Sequence, residues 1–304
     1  MSAVPIVAVV GPTASGKTEL SLDLAESLGG EIVNTDAMQV YRGMDIGTAK
    51  LPPADRRGIP HHLLDTHTVR DPLTVAEFQQ EARAVIAELR ERGTTPVLVG
   101  GSALYTRAVV DCFEFPGTDA DIRARLEAEL TEVGPHALHT RLLDIDPEAA
   151  ERILPENGRR IVRALEVIEI TGRPFTASLP RLEYVDSQTI QVGVRIDRPT
   201  LNDRIQQRVD HMFEAGLVDE VERLLGEGLA EGRTASRAIG YREVAAYLAG
   251  ELSLDDARER TFVATRRFAR RQESWFRRDP RITWVEFQDP ERAALALSAI
   301  RKLG

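Results

Sequence analysis

A single cysteine, Cys112, stands among 304 residues, so no internal disulfide forms and the chain suits a reducing compartment. No apolar run approaches the ~20 residues that a membrane helix requires. The start, Met1-Ser2-Ala3-Val4-Pro5, lacks the basic residues and long apolar segment of a signal peptide. A cytoplasmic protein with no membrane partner is therefore expected. Lysine is scarce as well: only Lys17, Lys50 and Lys302 occur, in a chain that otherwise uses arginine. Acids outnumber Lys and Arg by 48 to 39, for a net charge of −9, which argues against a uniformly basic nucleic-acid-binding surface. A whole-chain sum can hide a local field, however. Between Ala257 and Arg278 stand eight arginines (258, 260, 266, 267, 270, 271, 277 and 278) against two acids, Glu259 and Glu273. That segregation keeps an RNA partner open.

What is present is an alternation of short apolar runs and amphipathic stretches. Ile6–Val10 is too short for a helix and feeds a glycine-rich loop. Thr18–Leu28 carries apolar residues at 20, 24 and 28 and stops at Gly29-Gly30, which predicts a helix. Glu31–Asn34 and Pro96–Val99 read as strands, with a helix over Thr74–Arg92 between them whose apolar positions share one face. Strands alternating with helices imply a parallel sheet covered on both sides. From Pro116 to about Ser187 only helical patterns follow: from Thr118 or Asp119 to Leu130, Pro147–Ile153, and Gly158–Ile170 stopped by Gly172 and Pro174. Asn202–Leu225 reads as one long helix, and Thr189–Ile196 and Ile282–Phe287 as strands. The expected fold is an α/β core, residues 1–115 and 188–304, interrupted by a helical insertion at 116–187.

The loop Gly11-Pro12-Thr13-Ala14-Ser15-Gly16-Lys17-Thr18 fits G-x-x-x-x-G-K-[ST] between a strand and a helix, as the motif requires. Its glycines let backbone N–H groups turn inward around phosphate oxygens, and the helix N-terminus adds partial positive charge. Lys17 supplies a point charge, and the Thr18 hydroxyl can ligate Mg²⁺. ATPases and GTPases also hold Mg²⁺ through an acid at the end of another strand. Here Pro96–Val99 runs into Gly100-Gly101 with no acid. The available strand-end carboxylate is Asp36, after Glu31–Asn34. Ligands of parallel sheets sit at the carboxyl ends of strands, so Asp36 should face whatever the loop holds, as an indirect metal ligand or a general base. A turn-forming Asp is the plainer reading.

Further along, the residues resemble a known family. The phosphate loop is followed by Asn34-Thr35-Asp36-Ala37-Met38-Gln39-Val40-Tyr41, Asp45-Ile46-Gly47-Thr48-Ala49-Lys50 and Gly58-Ile59-Pro60-His61-His62-Leu63-Leu64-Asp65. Then come Val99-Gly100-Gly101-Ser102-Ala103-Leu104-Tyr105 and Asn157-Gly158-Arg159-Arg160-Ile161-Val162-Arg163-Ala164-Leu165-Glu166. Ala238-Ile239-Gly240-Tyr241-Arg242-Glu243 and Arg271-Gln272-Glu273-Ser274-Trp275-Phe276-Arg277 complete the set. These colinear blocks, from residue 6 to about 280, resemble the tRNA dimethylallyltransferases, also called tRNA isopentenyltransferases. About twenty C-terminal residues carry no such block.

The resemblance implies transfer of a dimethylallyl group from dimethylallyl diphosphate to N6 of the adenosine 3′ of the anticodon, position 37, in the tRNA anticodon stem-loop. It implies that the loop, with Arg208, binds the donor's diphosphate, that Asp36 is the general base, and that Asp36–Gln39 meet the flipped adenine. It further implies tRNA contacts at Ser102, Arg123, Arg159–Arg163, Arg237–Arg242 and Arg270–Arg277, in a monomer. Ser102 stands where the family usually has threonine. Ala37 replaces the usual serine after the Asp, and the Asn34-Thr35 lead-in also differs slightly.

Other readings remain for the same residues. A small-molecule or nucleoside kinase also carries the loop and an acid after strand two; it would phosphorylate an acceptor from ATP and has no use for a basic ridge. An RNA-binding module with a non-catalytic loop is a third reading. His61-His62 lacks an acid or thiol at ligand spacing, which favours packing over metal binding, and His136 and His139 read as surface residues. Arg267, Arg271 and Arg278 share one helical stripe with Arg266, Arg270 and Arg277 beside it. The two stripes form either a solvated face or, with Trp275 and Phe276 nearby, a ridge suited to RNA.

Overall fold

The fold was obtained as a computed structural model that describes residues 4–113, 115–175 and 182–302. The chain divides into two compact units, one of residues 1–110 and 186–304, the other of 111–185.

The larger unit is built on six parallel strands: β1 (Ile6–Val10), β2 (Gly30–Asn34), β3 (His61–His62), β4 (Thr95–Val99), β5 (Thr189–Arg195) and β6 (Ile282–Glu286). They lie in the order β3-β2-β4-β1-β5-β6. Every residue of β1 is buried, as a central parallel strand covered on both faces must be. The register sets Val7 beside Val97 on one side and Ile190 on the other. β1 runs straight into the phosphate loop and α1 (Lys17–Leu28), whose Leu20 and Leu24 join Val9, Ile32, Val97 and Val192 in the core. α2 (Val75–Glu91) starts at a reciprocal cap. The Thr74 hydroxyl accepts from the Glu77 N–H, and the Glu77 carboxylate accepts from the Thr74 N–H. α3 (Ala103–Val110) follows β4.

In the 111–185 unit, α4 (Ala120–Ile145), α5 (Pro147–Arg152) and α6 (Gly158–Thr171) pack around Leu126, Leu138, Leu142, Ile161 and Leu165. Asp119 caps α4, its carboxylate accepting from the N–H groups of Asp121 and Ile122. The helix does not end at Leu130 as the sequence suggested; it bends at Gly134 (φ 80°) and Pro135 and resumes. His139 is no surface residue: its ring nitrogen lies 3.0 and 2.9 Å from the Ala150 and Ile153 carbonyls.

After β5 the larger unit resumes with α7 (Arg198–Glu214) and α8 (Leu217–Gly226). The sequence suggested one helix here. Gly216, at φ 99°, breaks it and starts α8, a conformation that glycine adopts without the Cβ penalty. α9 (Tyr241–Leu248), α10 (Leu254–Phe276) and α11 (Arg292–Arg301) complete the fold. Among the described residues no helix is long and apolar enough to cross a membrane.

Candidate active site

The loop leaves β1 at Gly11 (φ 144°), passes Ala14 in the left-handed region (φ 62°) and enters α1 at Gly16 (φ 87°). Positive φ at a residue with a Cβ is costly and persists where the surroundings enforce it. Here two clamps do so. Gln272 of α10 accepts from the Thr13 N–H at 2.8 Å while its amide donates to the Gly101 carbonyl at 2.7 Å. Arg208 of α7 donates to the Thr13 hydroxyl at 2.7 Å. Ser15 is fully buried, and its hydroxyl has no hydrogen-bond partner among the described residues.

Lys17 folds back to donate to the Pro12 carbonyl at 2.6 Å. Burial and the neighbouring Arg208 guanidinium push its pKa down to about 7, against a smaller opposite pull from Asp36. Arg208 is itself lowered, by burial first and by Arg204 last, with Asp36 raising it. Lys17, Arg204 and Arg208 thus crowd positive charge around one carboxylate. Their hydrogen bonds go to two carbonyls and a hydroxyl, so the one carboxylate nearby, Asp36, offsets only part of the charge. Such a cluster stores an attraction for an anion.

Asp36 follows β2, at the carboxyl end of the sheet. Its N–H donates to the Asn34 side chain, and its own carboxylate accepts from the Met38 N–H, both at 2.9 Å. Asp36 therefore closes a turn, and it also lines the cleft. Two chambers meet there. One, of about 480 Å³, is lined by loop residues 13–18, Gln39, His61, Arg204 and Gln272. The other, of about 360 Å³, is lined largely by apolar groups of Met38, Val209, Met212, Ile239 and Phe268, with Ser102, Arg237 and Arg271. Thr13, Asp36, Thr48, Arg208 and Phe268 line both. β4 ends in Gly100-Gly101 for lack of space: a Cβ on Gly100 would lie 2.2 Å from the Thr35 hydroxyl, and one on Gly101 2.3 Å from the Gln272 amide.

The two histidines have partners within the fold. His62 Nε2 lies 2.6 Å from Glu31, and His61 Nδ1 lies 2.8 Å from the Ile59 carbonyl. Among the described residues no three His, Cys, Asp or Glu side chains cluster to hold a metal. Thr18 is exposed beside the loop.

The residues expected to meet RNA separate into exposed, half-buried and buried groups. Arg159, Arg160, Arg237, Arg242, Arg270, Arg271, Ser274, Trp275 and Arg277 are exposed. Trp275 keeps 54% of its surface in solvent, which settles that it is not core. Ile161, Val162, Ala238, Gly240, Tyr241, Gln272 and Phe276 are buried instead. Ile161 and Val162 belong to the apolar face of α6, so the run 159–163 presents only its arginines. Arg123 and Arg163 are engaged locally, donating to the buried Glu166 at 2.5 and 2.9 Å. Burial raises the Glu166 pKa, but these two arginines outweigh it and hold the carboxyl below its usual value. Glu273 is half-buried and pairs with Arg277 at 2.5 Å.

Several cleft residues escaped the sequence reading, Val209, Met212, Phe268 and Arg204 among them. Arg204 lies a helical turn before Arg208 on α7 and donates from Nε to the Ala14 carbonyl at 2.8 Å. Its i, i+4 spacing from Arg208 was the available signal.

The family model described as IPP transferase matches residues 39–279. A protein of Nocardioides sp. named tRNA dimethylallyltransferase is 76% identical over 296 residues, covering 97% of this chain and 96% of its own length. The like-named protein of Streptomyces coelicolor is 61% identical over 300 residues, covering 98% and 96%. The crystal structure of full-length tRNA isopentenylpyrophosphate transferase from Bacillus halodurans superposes with a TM-score of 0.71 at 40% identity, covering 98% of this chain and 95% of that one. A eukaryotic dimethylallyltransferase captured acting on tRNA reaches a TM-score of 0.84 at 26% identity, covering 98% and 77%.

Proposed function

We infer the reaction from the premise that this chain belongs to the IPP transferase family: it is a tRNA dimethylallyltransferase, a prenyltransferase that moves a dimethylallyl group onto tRNA. The site chemistry supports a finer assignment. The donor is dimethylallyl diphosphate, and its diphosphate lies in the loop chamber among Lys17, Arg208 and the N-terminus of α1. The acceptor is N6 of the adenosine at position 37, in the anticodon stem-loop, entering the other chamber as a base flipped from its stack. The observation that carries this reading is Asp36, common to a cationic chamber and an apolar one.

Each group has work suited to its chemistry. The allylic carbon–oxygen bond breaks and the diphosphate departs with the electron pair. Lys17, Arg208 and loop N–H groups stabilise the charge that gathers on it. The N6–carbon bond forms, and the N6 proton passes to the Asp36 carboxylate. Apolar walls at Met212, Ile239 and Phe268 keep water from the allylic carbon. Thr18 suits Mg²⁺: magnesium uses few protein ligands and completes its shell with substrate phosphates and water, and the hydroxyl of Thr18, an exposed residue at the helix start, would offer one such ligand. When bound there, the ion supplies further neutralisation of the leaving diphosphate. Arg159, Arg160, Arg237, Arg242, Arg270, Arg271 and Arg277, with Trp275, supply phosphate contacts and a stacking face for the RNA.

The kinase alternative gives way to the names of the relatives, and the glycine end of β4 gives a phosphoryl-transfer metal no acid. The test is direct. Incubation of the protein with tRNA, Mg²⁺ and dimethylallyl diphosphate, followed by mass spectrometry of the nucleosides, yields N6-dimethylallyladenosine. Asp36→Ala abolishes that product while tRNA binding weakens modestly at most. A near-normal transfer rate in Asp36→Ala sinks the general-base assignment.

A further inference from the structure

Phe287 follows β6, beyond the last block of family resemblance and outside the matched range 39–279. Its N–H donates to the Arg195 carbonyl at 2.7 Å, extending the β5–β6 pairing by one residue. Its carbonyl accepts from Arg292 of α11, also at 2.7 Å. The ring is thereby fixed against the phosphate loop: a Cβ added at Gly16 would meet it at 3.0 Å. Two guanidinium groups flank the ring, Arg204 at 4.6 Å from its centroid and Arg292 at 5.6 Å.

The placement of Arg204 has the features of an anion ligand. Among the described residues its one hydrogen bond runs from Nε to Ala14 O, so the two terminal nitrogens of the fork remain for another acceptor. Aromatic stacking holds a guanidinium plane in one orientation without neutralising it. The residue lines the same chamber as Lys17, Thr18 and Arg208, and it depresses the Arg208 pKa, a like-charge approach that folding alone would avoid. A diphosphate bears several negative charges, and Lys17 and Arg208 by themselves leave part of that charge unmatched.

We propose that Arg204 is a second diphosphate-binding arginine, and that Phe287 is the positioning residue that holds its guanidinium over the loop. The proposal rests on the reading of the loop chamber as the diphosphate site. It makes the C-terminal turn between β6 and α11 part of the active site.

Calorimetric titration of the full-length protein with inorganic diphosphate tests it, with thermal melts as a check on folding. Arg204→Gln weakens diphosphate binding by about tenfold or more, the loss of one charge-assisted contact, while tRNA affinity is unchanged. Arg204→Lys keeps the charge but loses the fork and the stack, and recovers part of the affinity. Phe287→Leu preserves an apolar contact with Gly16 and weakens binding several-fold in the same direction, because the stack is lost. In transfer assays Arg204→Gln raises the KM for the prenyl donor and leaves the KM for tRNA in place. If Arg204→Gln and Arg204→Lys both bind diphosphate as the wild type does while Arg208→Gln does not, the proposal is overturned and the diphosphate reading of the chamber stands. If the wild type itself binds no diphosphate, that reading falls, and the proposal with it.

Discussion

The Tyr241 hydroxyl donates to Glu220 at 2.5 Å, and the same buried carboxylate accepts the N–H groups of Asp45, Ile46 and Gly47 at 3.1, 2.8 and 3.2 Å. Helices α8 and α9 thus hold, through one acid, the turn whose Gly47 and Thr48 line the apolar chamber. Burial, and then the charge of Glu220, raise the Tyr241 pKa far above its usual value, so the hydroxyl stays a donor at any assay pH. Gly47 is glycine because the Tyr241 ring leaves no room; a Cβ there would lie 2.4 Å from it. Tyr241→Phe keeps the ring and removes the donor. It should cost about 1.5–3 kcal/mol, the value of a hydrogen bond to a charged acceptor, read as a lower midpoint in urea at unchanged slope. A midpoint equal to the wild type's would show that the three backbone donors alone satisfy Glu220.

Gln272 offers a test that separates two roles. The resemblance placed it in a tRNA-contacting segment, yet it is buried with its amide bridging Thr13 and Gly101. Gln272→Ala removes both bonds and frees the loop. The expected outcome is a donor KM raised by about tenfold, of the order of one or two lost hydrogen bonds, with tRNA affinity unchanged. The opposite pattern, a weakened tRNA complex at a normal donor KM, would return Gln272 to RNA recognition.

Lys17 gives the site a pH signature. Its pKa is lowered in the folded protein from 10.5 to about 7. Between those values the unfolded chain holds the extra proton, so the stability of the ligand-free protein rises with pH across that window. An anion in the loop favours charged Lys17 and raises its pKa. Diphosphate binding at pH 8 therefore takes up protons, and near pH 6, where Lys17 is already charged, that uptake fades. Titrations in two buffers of different ionisation enthalpy measure it, and Lys17→Ala subtracts the ligand's own protonation. Identical uptake in wild type and Lys17→Ala at pH 8 would place the Lys17 pKa elsewhere.

The phosphate loop, the parallel core and Asp36 were legible in the sequence because each depends on local pattern: a glycine spacing, runs of buried β residues, an acid just past a strand. What stayed hidden depends on partners distant in the chain. Phe287 meets Gly16, Gln272 meets Thr13, and Glu220 meets Asp45–Gly47 only once the sheet has assembled. The same limit affected the segments assigned to RNA. Arg159–Arg163 reads as one block, yet helical periodicity turns Ile161 and Val162 into the core of their unit and ties Arg163 to Glu166. Glu166 itself, an acid within that block, is fully buried, and nothing in its neighbourhood along the chain announces it. The break at Gly216 was missed because apolar periodicity continues across it, while the backbone there turns left-handed.

The basic end of α10 yields the last prediction. Arg270 and Arg277 are exposed, near the exposed Trp275, and Arg277 is paired with Glu273 at 2.5 Å. A chain of net charge −9 offers RNA no overall attraction, so a local basic ridge must carry a large share of it. Each phosphate neutralised by an arginine releases counterion and steepens the salt dependence by about 0.7 to 0.9 in the slope of log K against log salt. Arg270→Ala combined with Arg277→Ala should therefore weaken tRNA binding and flatten that slope by about 1.5, with diphosphate affinity intact. Arg277 gives up its Glu273 partner on binding, so Arg277→Ala alone should cost less than Arg270→Ala alone. A slope unchanged in the double variant would make the ridge a solvated helix face and move RNA contact to Arg237 and Arg242.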